Sequence, residues 1–323
     1  MRLPAAALRP LKGRPLKAKI IAHMNQAAGP VSGERLSKVL GVSRVAIWKH
    51  MRQLQTVGYA IETTPKGYRL VKEPDAPFPW MFGPRESQMH YHQELPSTMD
   101  SAMELARKGC PAFTVVVAER QTKGRGRLQR QWQSTQGGLY FTMVLRPRIP
   151  LAEAPLINLA AAVDLAATIT HLYEIPVQLK WPNDLLVEGR KLAGILSQMA
   201  AEPDRIDFIN LGIGVNVHND TRRVKPPAVS VAALTDRTVS RARILEGFWD
   251  RLEQRLTGGS LSGVVDQWKG RAVTLGKTVT VQTLNDQVSG LAVDVDPDGA
   301  LVLETADGRR VTVLYGDCFH TQA

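Results

Sequence analysis

The sequence predicts an α+β protein of three parts. An amino-terminal winged helix-turn-helix comes first, then a central mixed α/β domain, then a small all-β domain. Three observations carry this reading. A chain of 323 residues is longer than one ordinary domain, and 44% hydrophobic residues suffice for real cores. The net charge of +11 is unevenly placed: residues 1–72 hold 14 Lys and Arg against Glu34 and Glu62, whereas the remainder holds 27 basic and 28 acidic residues. The hydrophobic period also changes along the chain, from helical, to mixed, to short strands divided by Asp-Gly turns. The expected boundaries are a disordered Pro/Ala/Arg-rich extension at 1–16, the winged helix at 17–72, a linker at 73–87, the central domain at 88–272 and the last domain at 273–323.

Composition narrows the function classes. Cys110 and Cys318 are the two cysteines and lie far apart, which excludes a disulfide framework and a zinc site of clustered thiols. This usage fits a reducing cytoplasm. The longest apolar run, Leu156 to Leu172, is interrupted by Asn158 and Asp164 and falls short of the ~20 residues a membrane span needs. No secretory core follows Arg2 and Arg9. His90 and His92 lack a carboxylate or thiol cluster, so no resident metal site and no membrane partner are expected. The basic excess asks instead for a polyanion: nucleic acid, an acidic surface or a phosphorylated substrate.

The first helix is expected over Ala18–Ala27, with Ile20, Ile21, Met24 and Ala28 at helical spacing. A second follows from Gly33 to Leu40, with Leu36, Val39 and Leu40 inward. Gly41 suits a left-handed C′ position and Ser43 an N-cap. The third helix, Arg44 to Val57, has an inward stripe of Ile47, Met51 and Leu54. Its other face carries Arg44, Trp48, Lys49 and Arg52. Two β-prone runs around Pro65-Lys66-Gly67 make a hairpin, the wing. The pattern also fits a small protein-contact module, but the +12 of this segment and the nearly acid-free third helix favour DNA. Trp48 is open to two readings: contact with a thymine methyl, or packing against the wing.

In the central part, Ser97-Thr98 precede a helix from Met99 to Lys108 that stops at Gly109. Strands are expected at Phe113–Glu119, Leu139–Leu145, Val177–Trp181, Asp184–Glu188, Ala193–Met199 and Asp207–Val217. Pro155 opens a long Ala-rich helix to about His171. Gln121 to Trp132 packs Lys123, Arg125, Arg127 and Arg130 around Gly124 and Gly126. Glycines admit a ligand close to the backbone, and guanidinium forks grip phosphate or carboxylate. No GK[ST] follows and Gln129 fills a third glycine's place, so neither common nucleotide-loop motif fits. Lys180-Trp-Pro-Asn183-Asp184 and Lys191-Leu-Ala-Gly-Ile-Leu196 sit on adjoining strands of a hairpin. Their lysines suit a nucleotide α-phosphate, and Asp or Asn suits hydrated Mg²⁺. Gly212-Ile-Gly214-Val-Asn216 places glycines in a strand, where a ligand or backbone approaches closely. Strands at Thr278–Gln282, Gly290–Val295, Leu301–Glu304 and Val311–Tyr315, with Asp-Gly turns, complete the chain.

Together these residues resemble the biotin–protein ligases, specifically the bifunctional kind that also represses the biotin operon. The resemblance runs from about residue 17 to the end, and the Lys-Trp-Pro-Asn-Asp and Lys-Leu-Ala-Gly-Ile-Leu pair is its most specific part. It implies a biotin/lipoyl-ligase type central domain and an SH3-like barrel at the end. It implies that biotin and MgATP give biotinyl-5′-AMP, from which a lysine of the biotin carboxyl carrier protein of acetyl-CoA carboxylase takes the biotin. Ser97, Thr98, Met99 and Gln121 would line biotin. Arg125, Gly126 and Arg127 would close over biotin and phosphate, and Lys191 would lie nearest the carboxyl and α-phosphate. Lys180, Asn183 and Asp184 would serve the phosphate, metal and acceptor side, with Trp132 and Asn216 on the adenylate side. Lys191, Arg125, Arg127, Lys180 and Asp184 would be the catalytic set. Gly33, Ser43, Arg44, Trp48, Lys49, Arg52 and Lys66 would form the operator-DNA surface of a homodimer assembled on adenylate binding. The chain departs from the family at Gln129, usually glycine, and at Met99, usually asparagine. The first is expected to alter loop flexibility and adenylate retention, the second to remove a polar contact to biotin. A ligase with a vestigial DNA module and a biotin sensor without ligase activity are the alternatives. A lipoate ligase shares the fold class, but the Gly-Arg-Gly-Arg loop favours biotin.

Overall fold

The computed structural model describes residues 15–203, 205–258, 261–283 and 286–320, without the side chain of Gln129. The expected extension therefore lies almost wholly outside the described residues. The chain divides into two compact units, the first ending at Met89.

Unit one holds three helices, α1 (Leu16–Gln26), α2 (Gly33–Leu40) and α3 (Arg44–Thr56), and the hairpin β1 (Ala60–Thr64) and β2 (Gly67–Lys72). Local chemistry sets the boundaries. Ser32 caps α2 by accepting from the Arg35 N–H, and Ser43 caps α3 by accepting from the Ala46 N–H. Gly41 turns the chain between them at φ +66°. Ile20, Met24, Leu36, Ile47, Met51 and Leu54 form the buried seam. Two expected inward residues face out: Val39 is 56% exposed, and Ala28 is exposed beyond the end of α1. An eight-residue helix has one narrow buried stripe, and Leu36 fills it. The wing docks on the segment before α2 through paired backbone bonds between Val31 and Tyr68. Gly67 makes this possible, because a Cβ there would lie 2.3 Å from the Val31 carbonyl oxygen. The Pro-rich stretch expected as a linker is packed into this unit. Ala76, Phe78, Trp80 and Phe82 are buried, and the Phe78 and Trp80 rings stack at 4.5 Å. Prolines set its path, and its alternating apolar residues hold it down.

Unit two is built on a seven-stranded sheet. Its strands are β3 (Met89–Leu95), β4 (Thr114–Gln121), β5 (Leu139–Leu145), β6 (Gln178–Lys180), β7 (Asp184–Val187), β8 (Arg190–Ala201) and β9 (Ile206–Val215), in the order β3-β4-β5-β9-β8-β7-β6. Helix α4 (Thr98–Arg107) packs on β4, β5 and β9. Helix α5 (Ala154–Tyr173) covers the other face. Gly212 meets Met99 of α4, whereas Ser197, paired with the neighbouring Leu211, bonds Asn158 of α5. The helix from Leu151 to Tyr173 is long and apolar enough to cross a membrane, but most of its 18-residue apolar window, 72%, is buried inside the unit. A helix apolar on all sides needs cover all round. Its Asp164 is neutralised by a two-pronged bond from Arg255, at 2.7 and 2.9 Å. Arg255 belongs to α6 (Arg241–Thr257), which with α7 (Val264–Lys269) covers α5. Lys180 and Lys191 stand on β6 and β8 with β7 between them, so the expected hairpin is a three-stranded meander. Its β7–β8 turn has Glu188 and Gly189 at positive φ, the geometry of a two-residue hairpin.

The last five strands are β10 (Thr278–Gln282), β11 (Gln287–Val295), β12 (Leu301–Glu304), β13 (Arg310–Val313) and β14 (Asp317–His320). They form one antiparallel sheet in the order β13-β12-β11-β10-β14. This is the SH3-like domain, closed over Val279, Val281, Ala292, Val295, Leu301 and Leu303.

Candidate functional site

On unit one, α3 presents a single charged face. Ile47, Met51 and Leu54 point inward, so helical spacing turns Arg44, Trp48, Lys49 and Arg52 outward, and all four are exposed. Trp48 is 53% exposed. Lys66 sits at the exposed wing tip, where its N–H donates to Thr64 Oγ1. Gly33 and Ser43 begin α2 and α3, and their contribution is to place these helices.

In unit two, thirteen residues singled out in the sequence line one cavity of about 390 Å³. They are Ser97, Thr98, Met99, Gln121, Arg125, Gly126, Arg127, Trp132, Lys180, Asn183, Asp184, Lys191 and Asn216. At one end, Ser97 caps α4 and sets the Thr98-Met99 backbone. The Gln121 Oε1 accepts from both the N–H (2.7 Å) and the hydroxyl (3.1 Å) of Thr98, and Gln121 donates to Ser134. Met99 lies on Gly212, where a Cβ would come within 2.5 Å of its sulfur. The thioether therefore fills an apolar gap and offers no hydrogen-bond donor there.

The cavity floor is glycine. A Cβ on Gly214 would lie 2.5 Å from the Trp132 indole, and one on Gly194 2.8 Å from it. Gly214 and Gly194 thus leave room for the flat Trp132 indole on the sheet, and Gly212 for the Met99 thioether. The Trp132 Nε1 is buried and has no acceptor among the described residues.

At the other end stand the cations. Lys191 Nζ lies 2.7 Å from Asp184 Oδ1 and 5.2 Å from the Trp132 ring centre. Asn183 is fixed by donating to the Ile195 carbonyl at 2.6 Å, and its own oxygen faces Arg127 at 3.5 Å. Burial pushes the Arg127 guanidinium below the usual arginine range, and the carboxylates of Asp317 and Asp184 pull it back. Asn216 donates to the Lys191 carbonyl and accepts from Asn219, which locks the end of β9 beside β8. The glycine-arginine loop folds on itself, with Gly126 N–H donating to Arg130 O and Trp132 N–H to Gly124 O. Gly124 is required there, since a Cβ would lie 2.4 Å from the Trp132 carbonyl oxygen.

Other contributors carry no assignment from the sequence, among them four charged, reactive or aromatic side chains. Asp317, Cys318 and Phe319 of β14 form one wall, and Asp317 pairs with Arg130 at 2.7 Å. Lys225 lines another. Burial pushes the Cys318 thiol up to about 11. A four-residue strand at the chain end has no periodic signal, and nothing local marks Asp317 apart from other barrel acids.

Comparison with known proteins places the chain. Residues 91–216 match the biotin/lipoate A/B protein ligase family, residues 274–321 the biotin protein ligase C terminal domain, and residues 17–69 an HTH domain. The bifunctional ligase/repressor BirA of Bacillus subtilis is 36% identical over 310 residues, covering 91% of this chain and 95% of that protein. The Escherichia coli protein of the same name is 29% identical, over 84% and 88%. The biotin protein ligase from Aquifex aeolicus in complex with biotin and ATP superposes with a TM-score of 0.62 at 26% identity, over 73% of this chain and 99% of that one. The chain belongs to the family of bifunctional biotin–protein ligase/repressors.

Proposed function

We propose that this chain joins biotin to ATP as biotinyl-5′-AMP, passes the biotin to a lysine of a biotin carboxyl carrier protein, and represses transcription by binding operator DNA when loaded. One observation carries the reading. A single cavity joins a polar end at Thr98 and Gln121, a glycine floor under Trp132, and a cationic end at Arg127, Lys180 and Lys191. That order matches the ureido ring, the aliphatic body and the carboxylate-phosphate junction of biotinyl-AMP.

A carboxylate attacks a phosphate poorly, because the two anions repel. Lys191 and Lys180 neutralise both, and Arg125 and Arg127 hold the charge that develops as pyrophosphate leaves. The carrier lysine then attacks the acyl carbon, an amide forms, and AMP departs with the anhydride oxygen. Closure of the loop shields the anhydride from water. Mg²⁺ would be brought by the nucleotide and would supply charge neutralisation on its phosphates. Asp184, a carboxylate in the cationic end, is suited to meet its water shell, since Mg²⁺ favours one or two carboxylates together with phosphate oxygens.

The basic face of α3 and the wing supports the DNA role. Homodimers on the adenylate would set two such faces on a two-part operator, in a reducing cytoplasm. The test is incubation with biotin, MgATP and an apo carrier domain. The expected result is a mass gain of one biotin, and Lys191→Ala is expected to lower the rate at least ~100-fold. No gain would refute the ligase. Equal operator affinity with and without adenylate would refute the coupling.

A further inference from the structure

We propose that Asp317 of the carboxy-terminal barrel is a positioning residue for adenylation. It acts as an internal anion that holds Arg127 and Arg130 of the catalytic loop and gives way to the nucleotide's phosphate chain. The inference rests on the ligase reading above.

The geometry is specific. The Asp317 side chain is 11% exposed, with Oδ2 at 2.7 Å from Arg130 Nη1 and Oδ1 at 3.9 Å from Arg127 Nε. Arg130 also lies over the Phe319 ring, its guanidinium carbon 5.6 Å from the ring centre. The barrel therefore grips the loop with a carboxylate and an aromatic face two residues apart on one strand. Asp317 is itself held in place, because β14 is paired to β10 in fixed register, Asp317 opposite Gln282. It cannot follow the loop if the loop moves. Arg130 can move: its side chain is 58% exposed and long.

The rest of the cavity has the same character. Arg125 is paired with Asp100 at 2.5 Å, and Lys191 with Asp184 at 2.7 Å. A phosphate chain must therefore compete with carboxylates already in place. It wins at Arg127 and Arg130 because it offers more charge and more oxygens to guanidinium forks than one carboxylate does. Once pyrophosphate leaves, Arg130 returns to Asp317 and pins the loop over the adenylate. The same carboxylate thus weakens ATP binding and slows adenylate escape.

Asp317→Asn separates this from a merely structural role, because the two effects have opposite signs for function. The KM for ATP in biotin-dependent pyrophosphate exchange is expected to fall about three- to tenfold, and the first-order loss of biotinyl-AMP to rise by a similar factor. Asp317→Glu, which keeps the charge, is expected to restore both. In an Arg130→Gln background, Asp317→Asn is expected to change neither by more than about twofold. An unchanged or raised KM for ATP, or an unchanged escape rate, overturns the proposal. If Asp317→Asn does not fold, Arg130→Gln alone decides: faster adenylate escape supports the latch, and unchanged escape overturns it. Wild-type protein without biotin-dependent exchange refutes the ligase reading and the latch with it. Exchange in the wild type with no difference in Asp317→Asn refutes the latch alone.

Discussion

Single side chains in this protein often serve by the state they are held in. His320 shows it beside the cavity wall. Its Nε2 is buried with no hydrogen-bond partner among the described residues, and burial, with Lys180 and Lys277 nearby, pushes the imidazole from its ordinary 6.5 down to about 4. The folded state thus holds the neutral ring, while the unfolded chain binds a proton below about 6.5. The stability this provides is present above pH 6.5 and is lost as the pH falls toward 4. A Tm series across that window should fall more steeply for the wild type than for His320→Gln, and parallel curves would reject the assignment. His320 was silent in the sequence, because a histidine's burial depends on the strand it ends on. The charged residues of the site were legible for the opposite reason. Arg125, Arg127, Lys180 and Lys191 lie in short dense motifs with glycine or proline neighbours, and that density marks a ligand. Asp317 has no such neighbourhood, and only the fold brings it to Arg130.

Elements convert those motifs into a pocket. The signal in Gly212-Ile-Gly214-Val-Asn216 is weak as a pattern, yet the structure gives it a definite cause. Gly214 and Gly194 stand opposite each other on β9 and β8, and the Trp132 indole lies on both. Gly214→Ala would place a Cβ 2.5 Å from that ring. Trp132 lines the cavity, so a ring pushed off the sheet takes up ligand space. Overpacking of this kind costs roughly 1–3 kcal/mol, about a tenfold loss in binding near its lower end. We expect Gly214→Ala to weaken biotinyl-AMP binding by about tenfold or more with little change in Tm, as titration calorimetry and a thermal melt would show. Unchanged binding would mean the indole stands outside the ligand's path. Element existence was read well where the period was strong, as for α3, β5 and β10. The helices α6 and α7 are absent from the expected elements, although Ser240 caps α6 and Ile244, Leu245, Phe248, Trp249 and Leu252 mark its buried face. The Pro-rich segment has the composition of a linker, yet its alternating Phe78, Trp80 and Phe82 bury it in the first unit.

At the scale of the whole molecule, charge divides the labour. The first 72 residues carry +12, and on α3 that charge is Arg44, Lys49 and Arg52, all exposed. In the cavity Arg125, Lys191 and Arg130 are answered by Asp100, Asp184 and Asp317 at 2.5 to 2.7 Å, and the chain beyond residue 72 sums to −1. The two sets should therefore respond differently to salt. Phosphate contacts on DNA release condensed counterions, so log affinity falls with log salt by about 0.9 per contact. A pair of these modules making six to ten contacts would lose roughly 10³–10⁵ in operator affinity between 50 and 200 mM salt. Arg44→Ala, Lys49→Ala and Arg52→Ala should each lower that slope, by about one for each phosphate contact removed per module. Biotin transfer to the carrier should depend on salt far less, since its charges are partly buried and paired at short range. Anisotropy titrations on operator DNA and transfer rates on the same full-length variants would measure both. A variant in α3 that flattened the salt dependence of biotin transfer, or left that of DNA binding untouched, would contradict this division.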